Sequence, residues 1–152
     1  MIKYKQFKSL EKNYIRKKIN SFLEEDIPRQ DVTTIGTVDS STRSEAYIQA
    51  QQDLVFSGEE IIPAFFDDDE LIDRVDVLKK DGEFVKNSEK IAVIKGNAGV
   101  ILSKERVLLN LLQRICAITT VANEYAKIAD KYDVKVLDTR KTTPGLRLFE
   151  KY

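Results

Sequence analysis

Apolar positions recur every three or four residues from Leu10 to Glu25. Leu10, Tyr14, Ile15, Ile19, Phe22 and Leu23 fall on one stripe and charged residues fill the rest, which is the spacing of an amphipathic helix. This helix should end before Pro28, because the residue ahead of a proline avoids helical backbone. From Ser44 to Gln52 the period drops to two, with Ala46, Ile48 and Ala50 on one face and Glu45, Tyr47 and Gln49 on the other. That alternation predicts a half-buried strand. Leu54-Val55-Phe56 continues apolar until Ser57-Gly58 breaks it. Glu59 to Phe66 reads as a short helix with Ile61, Ile62, Phe65 and Phe66 inward. Arg74 to Lys79 and Lys90 to Lys95 read as strands on either side of the Asp81-Gly82 turn signal, and Gly96-Asn97-Ala98-Gly99 closes the second. Helical spacing returns at Ser103, a suitable N-cap, and runs to about Arg114 with Val107, Leu108, Leu111 and Leu112 inward. A further helix starts at Thr119 or Thr120, carries Val121, Ala122, Tyr125, Ile128 and Ala129 inward, and ends near Lys131-Tyr132-Asp133. Val134, Val136 and Leu137 then give a β-branched run of strand length.

Strands first, then helices, then a strand, imply an α+β domain: an antiparallel sheet with flanking helices that leads into a β/α unit. The chain shows no internal repeat and no low-complexity linker. An apolar content of 42% supports a packed core and argues against disorder. The 25 basic and 25 acidic residues cancel, so no net field directs the chain to nucleic acid or to a membrane. There is no histidine, which removes imidazole acid–base chemistry, catalytic triads and histidine-ligated metals from these residues. The single cysteine, Cys116, excludes an internal disulfide and a multi-cysteine zinc site, and a reducing, cytoplasmic setting is the expectation. No apolar run approaches the ~20 residues that span a bilayer, and the opening MIKYKQFKSLEKNY lacks the apolar core of a signal peptide.

The chemistry concentrates after the last apolar run. In VKVLDTRKTTPGLR, the polar residues Asp138, Thr139, Arg140, Lys141, Thr142 and Thr143 crowd the end of the expected strand, and Pro144-Gly145 marks a turn. Arg140 offers a planar fork able to hold a carboxylate or phosphate with two bonds, and Lys141 adds a mobile point charge. Threonine hydroxyls and backbone N–H groups add neutral donors, and Arg147 can close the loop from the other side. A solvated charged turn has the same composition. Other candidates carry less. Glu24, Glu25, Asp26 and Asp31 suit helix-end and turn positions. Asp67-Asp68-Asp69-Glu70 lacks the alternating ligands and central glycine of a calcium loop and reads as a solvated loop. Cys116 has no histidine to activate it as a nucleophile and reads as a packed small residue.

Three stretches carry a resemblance to one family. TRKTTPGLR, followed by Phe149-Glu150-Lys151-Tyr152, resembles the entry into the barrel domain of the quinolinate phosphoribosyltransferases (nicotinate-nucleotide pyrophosphorylases, carboxylating). SKERVLLNLLQRICAITT resembles that family's ERxxLNxLxRxSGIAT segment through Glu105, Arg106, Leu109, Asn110, Leu112 and Ile118. Cys116, Ala117 and Thr119 stand where the pattern has Ser, Gly and Ala. FLEEDIPRQDVTT resembles the family's LxED…DxTT signature, with Gln30 in place of the usual glycine. A second resemblance, of DGEFVKNSEKIAVIKGNAG to half of a lipoyl or biotinyl carrier domain, lacks an exposed lysine in a tight hairpin.

The first resemblance implies an enzyme of NAD biosynthesis. It would form nicotinate mononucleotide, pyrophosphate and carbon dioxide from quinolinate and phosphoribosyl pyrophosphate. It also implies a homodimer or higher homo-oligomer in which Arg106 reaches into the partner subunit's pocket to hold a quinolinate carboxylate. Thr139, Arg140 and Lys141 would line that pocket from the barrel, Lys141 both binding substrate and serving as the catalytic cation. The implied layout is an N-terminal α+β domain over residues 1–114 and the start of an α/β barrel, its first helix and strand, over 115–152. Family members continue for roughly as long again. The Gly-rich stretch with its His-Arg pair, and the residues that bind phosphates and Mg2+, would follow Tyr152, so these residues should form an incomplete site. The alternatives are a paralogue acting on another substrate and a non-catalytic carrier-like or assembly module.

Overall fold

The computed structural model describes residues 9–152. In chain order the elements are α1 (Lys12–Asp26), α2 (Val32–Thr37), β1 (Arg43–Gln49), β2 (Leu54–Val55), α3 (Ile61–Ala64), β3 (Ile72–Val77), β4 (Phe84–Val85), β5 (Lys90–Asn97), α4 (Ala98–Asp130) and α5 (Arg147–Lys151). The expected antiparallel sheet with flanking helices is present. β5 is its central strand, between β1 and β3, with Tyr47 opposite Val93 and Val75 opposite Ile94. Being central, β5 buries residues on both faces, including Ile91, Ala92 and Ile94. The edge strand β1 alternates instead over Ala46 to Gln49. Gly96 is required where β3 meets β5: a Cβ there would lie 2.8 Å from both the Ile72 Cα and the Leu71 carbonyl oxygen, at the point where the register slips between Ile72 and Arg74.

The core lies between this sheet, the first half of α4 and α1. It collects Ile15 and Ile19 from α1, Ile61, Ile62, Phe65 and Phe66 around α3, and Val107, Leu108, Leu111 and Leu112 from α4. All of these stand on the faces their spacing assigns. Asp81–Gly82 does turn the chain between β3 and β5, but a short strand intervenes: β4 pairs with β2, Leu54 opposite Val85.

Four expectations are corrected. The two helices expected after β5 are one, α4, running 33 residues from Ala98 to Asp130. Thr119 and Thr120 do not start a helix. Their hydroxyls donate to the carbonyls of Ile115 (2.9 Å) and Cys116 (2.7 Å) one turn earlier, a mid-helix bond open to Ser and Thr. The cap of α4 is Asn97, whose side-chain oxygen accepts from the Val100 N–H at 3.1 Å, whereas Ser103 lies inside the helix and donates to the Val100 carbonyl. Val121, Tyr125 and Ile128 are not inward but 50%, 62% and 55% exposed, and Ala122 is exposed as well. Val134 to Leu137 forms no strand, because no other strand among the described residues lies beside it to supply a ladder. A further helix, α2, has no apolar stripe to announce it. It is built on Asp31, whose carboxylate accepts from the Thr34 N–H (3.0 Å) and hydroxyl (2.5 Å).

The acidic run is a solvated loop as expected at Asp67, Asp68 and Glu70, and only Asp69 is partly buried. Asp67 and Asp68 pair with Arg16, and Asp69 bonds Lys104 at 2.9 Å in a half-buried site. Glu24, Glu25 and Asp26 do face solvent. Among the described residues no helix is long and apolar enough to cross a membrane. The signal-peptide reading rests mainly on residues 1–8, outside the described residues.

Candidate functional site

The loop that follows α4 is shaped by its own backbone chemistry. The Val134 N–H bonds the Ala129 carbonyl (3.1 Å) beyond the helix end, and residues 131–141 are exposed throughout. The Lys141 N–H donates to the Thr139 hydroxyl oxygen (3.1 Å), and the Thr142 N–H donates to the Arg140 carbonyl (3.0 Å). These bonds curl the backbone and turn the Arg140 and Lys141 side chains outward. Thr143 to Leu146 then forms a turn closed by the Leu146 N–H on the Thr143 carbonyl (3.1 Å). Pro144 sits at its second position and Gly145, with φ at +84°, at its third, the residues that a type II turn needs there. Arg147 closes the loop as expected, its Nε donating to the Thr142 hydroxyl at 3.0 Å.

The exit of the loop is fixed to the body of the protein. Phe149, 2% exposed, packs between Tyr14 and Phe22 of α1, with ring centroids 5.6 and 6.4 Å away. The Glu150 carboxylate accepts from the Thr143 N–H (3.0 Å) and from Arg114 Nε of α4 (2.9 Å), and an Arg114 terminal nitrogen donates to the Thr143 hydroxyl (2.6 Å). Burial works to raise the Glu150 carboxyl, but the bonds from Thr143 and Arg114 outweigh it and hold the group below the usual carboxylate range. At the chain's last residue, the Tyr152 hydroxyl donates to Asp81 (2.7 Å). The other Asp81 oxygen accepts from the Gly58 and Glu59 N–H groups. Burial and the Asp81 carboxylate both push the Tyr152 phenol up.

Sequence spacing places the chemistry of Thr139, Arg140 and Lys141 on one loop, and the structure keeps them together with the two cations exposed. Asp138, the nearest carboxylate in sequence, is held by Lys151 at 2.7 Å, so it does not neutralise them. Arg106 is exposed on α4, two turns before Arg114, and among the described residues no side-chain hydrogen bond or ion pair joins it to the loop or to Glu105. A groove of about 500 Å³ lies between α1, α4 and the Pro144–Gly145 turn. Its wall holds Glu25 and Asp26 together with Arg114, whose charge is taken up by Glu150, whereas no ion pair among the described residues engages Arg140 or Lys141. Cys116 is buried, its thiol donating to the Ser57 carbonyl at 3.3 Å, and burial pushes its pKa up; this is a packing residue. No group of three Cys, Asp or Glu side chains gathers to hold a metal ion among the described residues. Sequence reasoning missed Arg114 and Glu150. Both lie inside the recognised stretches, but their pairing spans 36 residues, and no local spacing signals it.

Comparison with known proteins gives this arrangement its place. The family model for the N-terminal domain of quinolinate phosphoribosyl transferase matches residues 31–116, and the model for the C-terminal domain of the same enzyme matches residues 118–152. The chain belongs to the quinolinate phosphoribosyl transferase family. It is 40% identical over 139 residues to a probable nicotinate-nucleotide pyrophosphorylase (carboxylating) of Bacillus subtilis, covering 91% of this chain and 47% of that protein. A probable enzyme of the same name from Archaeoglobus fulgidus is 36% identical over 127 residues, covering 82% of this chain and 47% of its own length. The solved structure of the nicotinate-nucleotide pyrophosphorylase from Francisella tularensis superposes with a TM-score of 0.90 at 29% identity. The match covers 99% of this chain and 53% of that one. The chain thus spans about half the length of the curated relatives it matches.

Proposed function

We propose that these residues are the quinolinate-binding part of a phosphoribosyltransferase. That enzyme joins quinolinate to phosphoribosyl pyrophosphate and releases pyrophosphate and carbon dioxide, yielding nicotinate mononucleotide. The observation that carries this reading is the exposed Arg140–Lys141 pair on an anchored loop, inside a chain whose relatives bear that enzyme's name. Quinolinate is a dicarboxylate and its co-substrate carries phosphate and pyrophosphate. Bringing them together requires cations to offset their repulsion. Arg140 takes one carboxylate with its fork. Lys141 places a second charge beside it and is the catalytic cation. Thr139 sets the backbone that aims both, and Arg106 adds a further guanidinium from α4 of a second subunit in a homodimer or larger homo-oligomer.

In the reaction the pyridine nitrogen attacks the anomeric carbon of the ribose as the bond to pyrophosphate breaks. The carboxyl group next to that nitrogen then leaves as carbon dioxide. The ring carbon keeps the electron pair, stabilised by the adjacent positive nitrogen, and takes up a proton. The loop contributes positioning and charge. Mg2+, when bound, would screen the pyrophosphate, with ligands from substrate and from residues other than those described. In this reading residues 1–114 form the α+β domain and residues 115–152 open an α/β barrel, in a protein that works in the cytoplasm.

The test is quinolinate affinity in the enzyme that carries this chain. Arg140→Ala should weaken binding at least 100-fold, the loss of a charge-assisted bidentate pair being worth about 3 kcal/mol or more. Unchanged affinity would remove Arg140 from the site.

A further inference from the structure

We infer that Arg114 is a positioning residue: through Glu150 and Thr143 it sets the pose of the Arg140–Lys141 loop. The inference rests on the proposed function for its consequence in binding, but not for the contact itself. The loop has little else to hold it. Residues 131–141 bury nothing, and the backbone bonds between Thr139 and Thr142 are local ones. Apart from the Lys151–Asp138 pair and the Arg147–Thr142 bond, both made to α5 alone, its first tie after α4, and the one that reaches α4 itself, is Thr143. That residue is gripped twice, by its N–H on Glu150 (3.0 Å) and by its hydroxyl under Arg114 (2.6 Å).

Arg114 also bonds Glu150 (2.9 Å), so the three groups form a closed ring in which each touches the other two. The Glu150 side chain is only 6% exposed, against 50% for Arg114. A carboxylate that deep keeps its charge only while its donors stay in place. Arginine suits the position because separate nitrogens of one planar fork reach both partners at once, while the donors of a lysine ammonium all radiate from a single nitrogen. The ring lies three residues past Arg140 and two past Lys141. A shift of Thr143 is therefore passed to both cations through the two or three planar peptide units that separate them from it. Near 1 Å of misplacement at a reacting site can cost about 100-fold in rate.

Two readouts test the inference. The first is trypsin cleavage after Arg140 and Lys141, with cleavage after Lys104, inside α4, as the control for global unfolding. Arg114→Ala should speed cleavage at the loop about tenfold and leave Lys104 protected. Arg114→Lys should fall between, and Thr143→Val should behave like Arg114→Ala while Thr143→Ser restores the slow rate. The second is kinetics in the enzyme that carries this chain. The same variants should raise KM for quinolinate about tenfold, lower kcat as well because Lys141 moves with the loop, and leave KM for phosphoribosyl pyrophosphate unchanged. If Arg114→Ala exposes Lys104 as well, Thr143→Val and Glu150→Gln take its place.

Cleavage and KM both within twofold of the parent would overturn the inference, as would equal losses for both substrates. The cleavage readout decides the contact independently of substrate. If Arg140→Ala leaves quinolinate affinity unchanged while Arg114→Ala still loosens the loop, the proposed function fails and the positioning role stands. If Arg140→Ala abolishes binding and the Arg114 variants do nothing, the reverse holds.

Discussion

One helix divides into two halves with the same sequence pattern and opposite surroundings. From Ala98 to Cys116, α4 buries Ile101, Val107, Leu108, Leu111, Leu112 and Ile115 against the sheet and α1. From Val121 onward the apolar residues recur just as regularly, yet Val121, Tyr125 and Ile128 stand in the open, as do Val134, Val136 and Leu137 beyond the helix. The difference shows what periodicity encodes. It names the face that is apolar; what covers that face depends on chain elsewhere. The first half finds its cover in the sheet, α1 and the C-terminal α5, whose Phe149 joins the same core. The second half lies where the C-terminal family match begins, in a chain about half the length of its relatives.

Substitutions at one packed and one open apolar position should separate the two regions. Phe56→Ala, at a fully buried site of the packed region, should cost about 3–5 kcal/mol. Tyr125→Ser, on the open half of α4, should change the stability of this chain by less than about 0.5 kcal/mol. Denaturant midpoints of the two variants measure the contrast, and equal losses would break it. At the seam, the Thr120 hydroxyl oxygen accepts the Val55 N–H of β2 at 2.9 Å. Thr120→Val keeps the shape and removes the acceptor, so it should cost about 1–3 kcal/mol, between the other two.

The smallest effect is one of pH. The folded pKa of Glu150 lies below its ordinary value, so its contribution to stability is full above about pH 4.3, the unfolded value. That contribution is lost as pH falls through the lower, folded value. Glu150→Gln should flatten the acid limb of a stability–pH curve, and a parallel curve would show that the ring around Arg114 carries no linked proton.

Much of the packed region was legible. The stripe of α1, the alternation of β1 and the inward faces of α3 and early α4 follow from periods of two and 3.6 that burial enforces. What escaped has physical reasons. Thr119 and Thr120 resemble caps because a hydroxyl can bond either way along the chain, and only the backbone shows that theirs point to the preceding turn. The helix α2 escaped because Val32 and Ile35 are exposed and leave no periodic signal; Asp31 with Thr34 was its one mark. Val134 to Leu137 has strand composition, but a strand needs a neighbouring edge as well. At the candidate site, the TRKTTPGLR run identified the cationic loop and its turn. The Arg114–Glu150 pairing escaped because it is made by packing across 36 residues and not by spacing.

The continuity of α4 has a mechanical consequence. The two family matches meet at residues 116–118, midway along a rod of 33 residues about 50 Å long, with no joint between them. The sheet and the start of the second matched region are therefore geared by helical phase. Removing one residue near Ala117 would turn everything downstream by ~100° about the axis and draw it in by ~1.5 Å. Inserting a heptad would return the phase to within ~20° while pushing the downstream half ~10 Å further out.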